Sequence, residues 1–517
     1  MRAANKTALP LHPFLFAAFP VLFLYARNAR YAVTWRDVIG PLAVVLAGTG
    51  VVLFLAWLLL GRRLPAAALV TSILVVLFFS YGPVYQAIEG YSAAGARLAR
   101  HSILLPLWAL LAAAGVVAAV RVRHQLPGLT SGLNLVAGAL VLVNVATIAI
   151  NEAAARQEAP LASLAVDLHP GSRRPDIYYI VFEEYAGERP LRDDFSYDNH
   201  PFLSELERRG FFVGHQSFTN YPRTSLSLAS SLNMQYLDQV ERETGGAGPE
   251  RITVPLIRSP QIVGLLKSAG YRYVNIGSWY TPTASSPEAD VNARSGGFSE
   301  FGSALYAMTA LWPVGGRLGF FQNDLDPRHR EYERVLFQFR QLAGMAGRGG
   351  PKFVFAHIIC PHGPYVFDRH GDFVPKEGQV GRRDTHNYDD QLTYLNTLIL
   401  NLAQRLLSVP ADRRPVIVLQ ADEGPFPGAP TSWARRRPEV LERKFLILNS
   451  YYLPPGGRAS PTAYPTISPV NTFRLVLDRY LGADLPLLPD KAFVFQGLKH
   501  LYTFSDVTDQ VKALATG

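Results

Sequence analysis

Cysteine is almost missing from this chain of 517 residues: Cys360 stands alone. One thiol excludes an internal disulfide framework and a thiolate metal cluster, and it suits either side of a membrane equally. Charge is scarce in residues 1–155, where it is confined to short clusters, whereas residues 156–517 have the mixed composition of a soluble α/β domain. Basic runs dense enough to follow a nucleic-acid backbone are missing too. Net charge is +9, but the arginines of the soluble part are scattered. That excludes nucleic acid as the expected partner and favours a basic surface facing anionic lipid headgroups. No internal repeat and no low-complexity tract breaks the sequence.

What is present begins with five uncharged stretches, roughly residues 9–26, 38–61, 65–88, 102–120 and 130–151. Each approaches or exceeds the ~20 residues that a spanning helix needs. The first contains Pro13 and Pro20 and resembles a signal peptide, but no small-residue cleavage site follows it. The expectation is therefore a transmembrane region over residues 1–155 with five helices. Five spans put the two chain ends on opposite sides. Arginine and lysine counts tie between the two sets of loops, so charge does not orient the protein.

Residues 156–173, with Pro160, Pro170 and Gly171, read as a linker into a domain over 174–517. There DIYYIVF (176–182), YRYVNIG (271–277), KFVFAHI (352–358), PVIVLQ (415–420) and KFLILNSYYL (444–453) read as strands. PFLSELERRG (201–210), QIVGLLKSAG (261–270) and about 387–408 read as helices. Apolar strands separated by helices predict an α/β domain with a mostly parallel sheet and helices on both faces.

Ligands of such a sheet sit beyond the carboxyl ends of its strands. Four candidates lie there: Glu183 with Glu184, Thr224 at the start of SLSLASSL, His362 in PHGPY, and Asp422 with Glu423. An isolated strand-end carboxylate is usually a cap or a solvated turn, and an isolated threonine there is usually an N-cap. Together they are hard oxygen donors and a hydroxyl, the groups that metal-assisted phosphoryl or sulfuryl transfer requires. Arg223 adjoins the threonine and can add positive charge for a phosphate.

In this order and spacing, the strand-end Glu183, NYPRTSLSLASSLN, His362-Gly-Pro-Tyr365 and QADEG resemble the sulfatase-like branch of the alkaline phosphatase superfamily. The similarity runs from about Pro175 to Asp490 and is greatest to membrane-anchored lipoteichoic acid synthases and related lipid-headgroup transferases. The resemblance implies a multi-pass plasma (inner) membrane protein with its catalytic domain outside the cytoplasm. It implies Glu183, Thr224 and Asp422 as metal ligands, Thr224 also as nucleophile through a covalent threonine intermediate, and His362 as a histidine on the substrate side. The family usually has Asp-His-Gly where this chain has Asp422-Glu423-Gly424. Placing Glu423 in the missing histidine's role gives an all-oxygen set, for which Mn²⁺ or Mg²⁺ is expected, with Ca²⁺ as third option and Zn²⁺ less suited.

The expected partner is a membrane lipid or a lipid-linked glycan. Two other readings stay open: a sulfatase-like hydrolase of small esters, and a catalytically degenerate membrane protein that binds lipid or glycan. Nothing in the sequence speaks to oligomeric state.

Overall fold

In the computed structural model the described residues are 9–29, 33–91, 100–121, 126–155, 161–169, 171, 173–296, 299–315, 326–375, 385–425, 437–459 and 461–516. The chain divides into two compact units, residues 1–156 with 297–326, and residues 157–296 with 327–517.

The apolar N-terminal sequence forms α1 (His12–Asn28), α2 (Trp35–Leu59), α3 (Leu64–Tyr91), α4 (His101–Arg121) and α5 (Leu126–Ala155). Among the described residues four helices are long and apolar enough to cross a membrane, over Trp35–Leu59, Leu64–Glu89, His101–Arg121 and Gly128–Ala153. The fifth expected span is helical, but α1 has 17 residues and falls short of them in length. It lacks its own N-cap side chain, and Asn134 of α5 accepts from the Leu11 and His12 amides at 3.0 and 2.8 Å instead. Ala17, Val21 and Tyr25 of α1 then pack with Val75 and Phe79 of α3 and with Phe301 and Leu305 of a short helix, Glu300–Ala307.

The second unit is built on a seven-stranded sheet. Its strands are β1 (Ile177–Phe182), β2 (Phe212–Val213), β3 (Arg272–Ile276), β4 (Val291–Ala293), β5 (Lys352–Ile358), β6 (Val416–Ala421) and β7 (Asn449–Tyr452), in the order β2-β7-β6-β1-β5-β3-β4. The sheet is mixed: β7 runs antiparallel to β6 and β2, while the pairings from β6 across to β4 are parallel. The sequence run KFLILNSYYL is not one strand. Lys444 and Phe445 end a helix, and only Asn449–Tyr452 forms the strand. An apolar run carries no information about direction, which is why the antiparallel β7 was not foreseen.

Every residue of β1, β5 and β6 is buried, as expected for central strands covered on both faces. Tyr179, Val181, Phe353 and Phe355 face α6 (Thr224–Asn233) through Leu226 and Leu228. Tyr178, Ile180 and Val354 face α7 (Pro327–Gly344) and α8 (Thr385–Leu407) through Val335, Phe339, Leu392 and Leu395. Register does the positioning. Phe182 is level with Ile358 and Ala421, so Glu183 and Asp422 leave neighbouring strands at one height. Val181, His357 and Gln420 are also level with one another, and their side chains therefore share the face that α6 covers.

Gly424 holds this end of the sheet closed. Its amide donates to the Lys444 carbonyl at 2.9 Å, and a Cβ there would collide with the Arg443 carbonyl. The glycine serves a close backbone approach at the end of α9 (Pro438–Phe445). Gly424→Ala should force the two segments apart at a cost of roughly 1–3 kcal/mol, as overpacking does. The expected result is a melting temperature several degrees lower for the full chain in detergent; an unchanged value would show that this approach is slack.

Candidate active site

Glu183, Asp422 and His357 are almost wholly buried, and each offers a ligand atom within 4.8 Å of the other two. Glu183 Oε2 and His357 Nε2 lie 2.8 Å apart, yet neither has the alignment of a hydrogen bond. Asp422 Oδ1 accepts from the Glu184 amide at 3.2 Å, whereas its buried Oδ2 has no hydrogen-bond partner. Buried polar atoms are normally satisfied. Three that converge without satisfying one another fit a divalent cation, which two carboxylates and an imidazole would hold. The other ring nitrogen of His357 lies 3.1 Å from Thr283 Oγ1, which in turn reaches the Tyr280 carbonyl at 3.3 Å. That chain suits an imidazole whose Nδ1–H donates outward and whose Nε2 lone pair points into the site.

Thr224 is the first residue of α6, and its hydroxyl donates to Glu183 Oε1 at 2.7 Å. Glu423 Oε1 lies 3.5 Å from the same hydroxyl, but also 3.0 Å from Nζ of the buried Lys444. Lys444 approaches Glu184 Oε1 as well, at 3.7 Å. The sequence reading gave Glu423 to a metal; in the structure its carboxylate lies 3.0 Å from the Lys444 ammonium, and His357 offers a nitrogen beside Glu183 and Asp422. Glu184 takes a left-handed backbone, φ 60°, which a residue with a Cβ rarely adopts. The hydrogen bond its amide donates to Asp422, a hydrogen bond from the Tyr388 hydroxyl to its carbonyl at 2.9 Å and its side chain near Lys444 hold it there.

The other two candidates are placed as follows. Arg223 grips Glu250 through Nε at 2.8 Å and Nη2 at 2.5 Å, and Ser225 donates to the same carboxylate at 2.6 Å. Its guanidinium is thus engaged in fixing the start of α6. His362 donates its amide to the Glu183 carbonyl at 3.2 Å, and its imidazole is near enough for its charge to act on Glu183.

Sequence reasoning missed His357 and Lys444. A histidine in the otherwise apolar FVFAHI, one step before the strand's end, was the available signal for the first. Lys444, at the end of α9, left no such mark.

Electrostatics follows from burial. Glu183 is pushed up to about 7, chiefly by burial, with the His362 charge pulling the other way and Glu423 adding to the push. Burial and then Glu183 raise Asp422 to about 8. Burial raises Glu423 to about 8 against the pull of Lys444. Burial lowers His357 to about 4, leaving it neutral and able to act as a ligand.

A family model described as Sulfatase matches residues 178–464, more than half of the chain. The chain belongs to the sulfatase family. That family lies within the alkaline phosphatase superfamily. No curated protein matches in sequence. Among solved structures, the C-terminal periplasmic domain of EptC from Escherichia coli, in complex with Zn, is 15% identical with TM-score 0.45, covering 68% of this chain and 99% of that one. The integral membrane lipooligosaccharide phosphoethanolamine transferase A from Neisseria meningitidis is 13% identical with TM-score 0.39, covering 92% and 95%. A phosphonate monoester hydrolase from Silicibacter pomeroyi is 14% identical with TM-score 0.41, covering 60% and 74%.

The raised carboxylates of this sulfatase-family site make a signed prediction. Without metal, the folded state keeps protons on Glu183, Asp422 and Glu423 that the unfolded chain has already released. Their contribution to stability is therefore full below ordinary carboxylate values and is lost as pH rises through about 7–8. A bound divalent ion displaces those protons. The melting-temperature gain from metal over chelator should accordingly grow from pH 5.5 to pH 8; a gain independent of pH would contradict the site's charge state. His357→Ala should weaken metal binding by at least about tenfold, taking the loss on removing outer-shell partners as the lower bound. Glu423→Gln should weaken it less. Equilibrium dialysis with elemental analysis reads both, and the opposite ranking would return Glu423 to the ligand set.

Proposed function

We propose that this chain is a membrane-anchored, metal-dependent transferase or hydrolase of phosphate or sulfate esters, acting on a lipid-linked headgroup through Thr224. The observation that carries the reading is the Thr224 hydroxyl 2.7 Å from Glu183, beside a buried carboxylate–imidazole group with unsatisfied donor atoms. Family membership supplies the ester chemistry, and four helices able to cross a membrane supply the lipid context.

A divalent ion held by Glu183, His357 and Asp422 would supply positive charge to an ester oxygen and to a nucleophilic hydroxyl. The chain's own residues do the rest. Thr224 Oγ1 attacks phosphorus or sulfur, forming a bond to it as the bond to the leaving oxygen breaks, and its proton passes to a carboxylate facing it. Glu183 holds the hydroxyl in place. Lys444 fixes Glu423, and Arg223 fixes the start of α6 through Glu250. His362 stands beside Glu183 to bind or protonate the leaving oxygen. Water or a second headgroup then takes the group from Thr224. The nitrogen of His357 removes the reason for preferring an all-oxygen ion, so we place Zn²⁺ and Mn²⁺ ahead of Mg²⁺ and Ca²⁺. Elemental analysis after dialysis against equal concentrations of the four ions tests that order. We also place the catalytic unit outside the cytoplasm; a reporter fused after Gly517 and active only in the cytoplasm would refute this.

Thr224→Ala should lower kcat by roughly three orders of magnitude or more, as losing an obligatory nucleophile does, while metal stoichiometry stays unchanged. Thr224→Ser should keep part of the activity. A phosphoryl or sulfuryl adduct mapped to Thr224 would be direct support. Wild-type turnover by the alanine variant would sink the covalent step. If the wild-type chain bound no metal and turned over no ester, the degenerate-binder reading would replace this one.

A further inference from the structure

Within the helical unit, α2, α3 and the segment containing Glu300–Ala307 enclose a groove of about 670 Å³. Val44, Gly48 and Val52 form one wall, Leu74 and Phe78 the second, and Leu305 belongs to the third. Its few hydroxyls are already engaged. Thr49 donates to the Val45 carbonyl at 2.8 Å, Thr309 to the Tyr306 carbonyl at 2.8 Å, and Tyr306 to the Leu311 carbonyl at 3.2 Å. An ordered water needs two to four polar partners, so a lining of this kind selects hydrocarbon.

The groove's position narrows the choice. Pro41 and Val52 line it, and at 1.5 Å per residue they stand about 9 and 26 Å along α2 from Trp35. The groove thus runs for about 16 Å along a helix long and apolar enough to cross a bilayer, the length and direction of an extended acyl chain. Val44 is 72% exposed, so the groove opens sideways. One wall has a further property. The helix Glu300–Ala307, with Thr309 and Leu311, belongs to a stretch that leaves the catalytic sheet after β4 and rejoins that unit at α7. A site for bulk lipid has no need of a wall tied at both ends to the catalytic unit.

We infer that this groove is the binding site for an acyl chain of the lipid substrate. The inference rests on the lipid-linked reading of function given above. Burial of the chain holds a lipid by its tail and leaves its headgroup outside the groove.

Gly48 gives the test. A Cβ at Gly48 meets nothing within 4 Å, so Gly48→Phe can enter the groove without disturbing the backbone; Gly132→Phe, equally open and outside the groove, is the control. Full-length protein in vesicles of phosphatidylglycerol and phosphatidylethanolamine is labelled with each lipid carrying a diazirine in one acyl chain. Turnover is measured on the same lipids and on the water-soluble ester bis-p-nitrophenyl phosphate. Adducts are expected within residues 41–52, 74–79 and 302–311. Gly48→Phe should lower labelling there and lower kcat/KM for lipid. Turnover of the soluble ester should not change. Adducts mapping elsewhere would overturn the inference. So would reduced labelling with unchanged lipid kcat/KM, which would make the groove a seat for structural lipid. A wild-type protein that hydrolyses the soluble ester but no lipid fails differently: it removes the lipid-linked reading, and this inference with it.

Discussion

Carboxylates buried side by side repel one another, and the centre of the catalytic unit depends on where the compensating positive charge comes from. Glu183, Asp422 and Glu423 crowd the ends of β1 and β6, all but removed from water. Lys444 answers one of them directly. Glu184 shares that lysine, so one positive charge does not balance the carboxylates, and protons or a divalent ion must supply the rest. Glu423 brings its extra carboxyl to the site together with a lysine from the end of α9. Even with that lysine, burial raises Glu423 to about 8, so in the absence of metal the group is held neutral by a proton.

Much of this was legible in the sequence, because strand ends are marked by abrupt changes in polarity. IYYIVF running into Glu183 and VIVLQA into Asp422 announce both the strands and the acids beyond them. What stayed hidden depends on register and on partners distant in sequence. His357 becomes a candidate only when β5 is known to lie beside β1, so that it faces α6 in line with Val181. Lys444 reaches Glu423 from the end of α9, in a run that reads as a strand in the sequence. Arg223 looked available from its neighbours in sequence, whereas Glu250, which engages it, lies 27 residues away.

The donor atoms sit on or directly beside three hydrogen-bonded strands, which makes their spacing a property of the sheet. Loops tolerate small displacements; a strand in register does not slip by less than a residue, and a slip of one residue would turn His357 to the opposite face. The nitrogen can therefore come from a different strand than the sequence pattern suggests while the cluster keeps a fixed size. The left-handed Glu184 is the local strain that accompanies this arrangement, held by the Tyr388 hydroxyl and the neighbouring acid.

The short helix Glu300–Ala307 has a consequence for handling the protein. Phe301 and Leu305 are buried against α1 and α3 although the sequence places them between two elements of the catalytic unit. A chain shortened to begin after the helical region would still carry this apolar segment, now with nothing to cover it. Water-soluble fragments of this protein should therefore self-associate or adsorb to detergent unless residues 297–326 are removed along with the N-terminal helices.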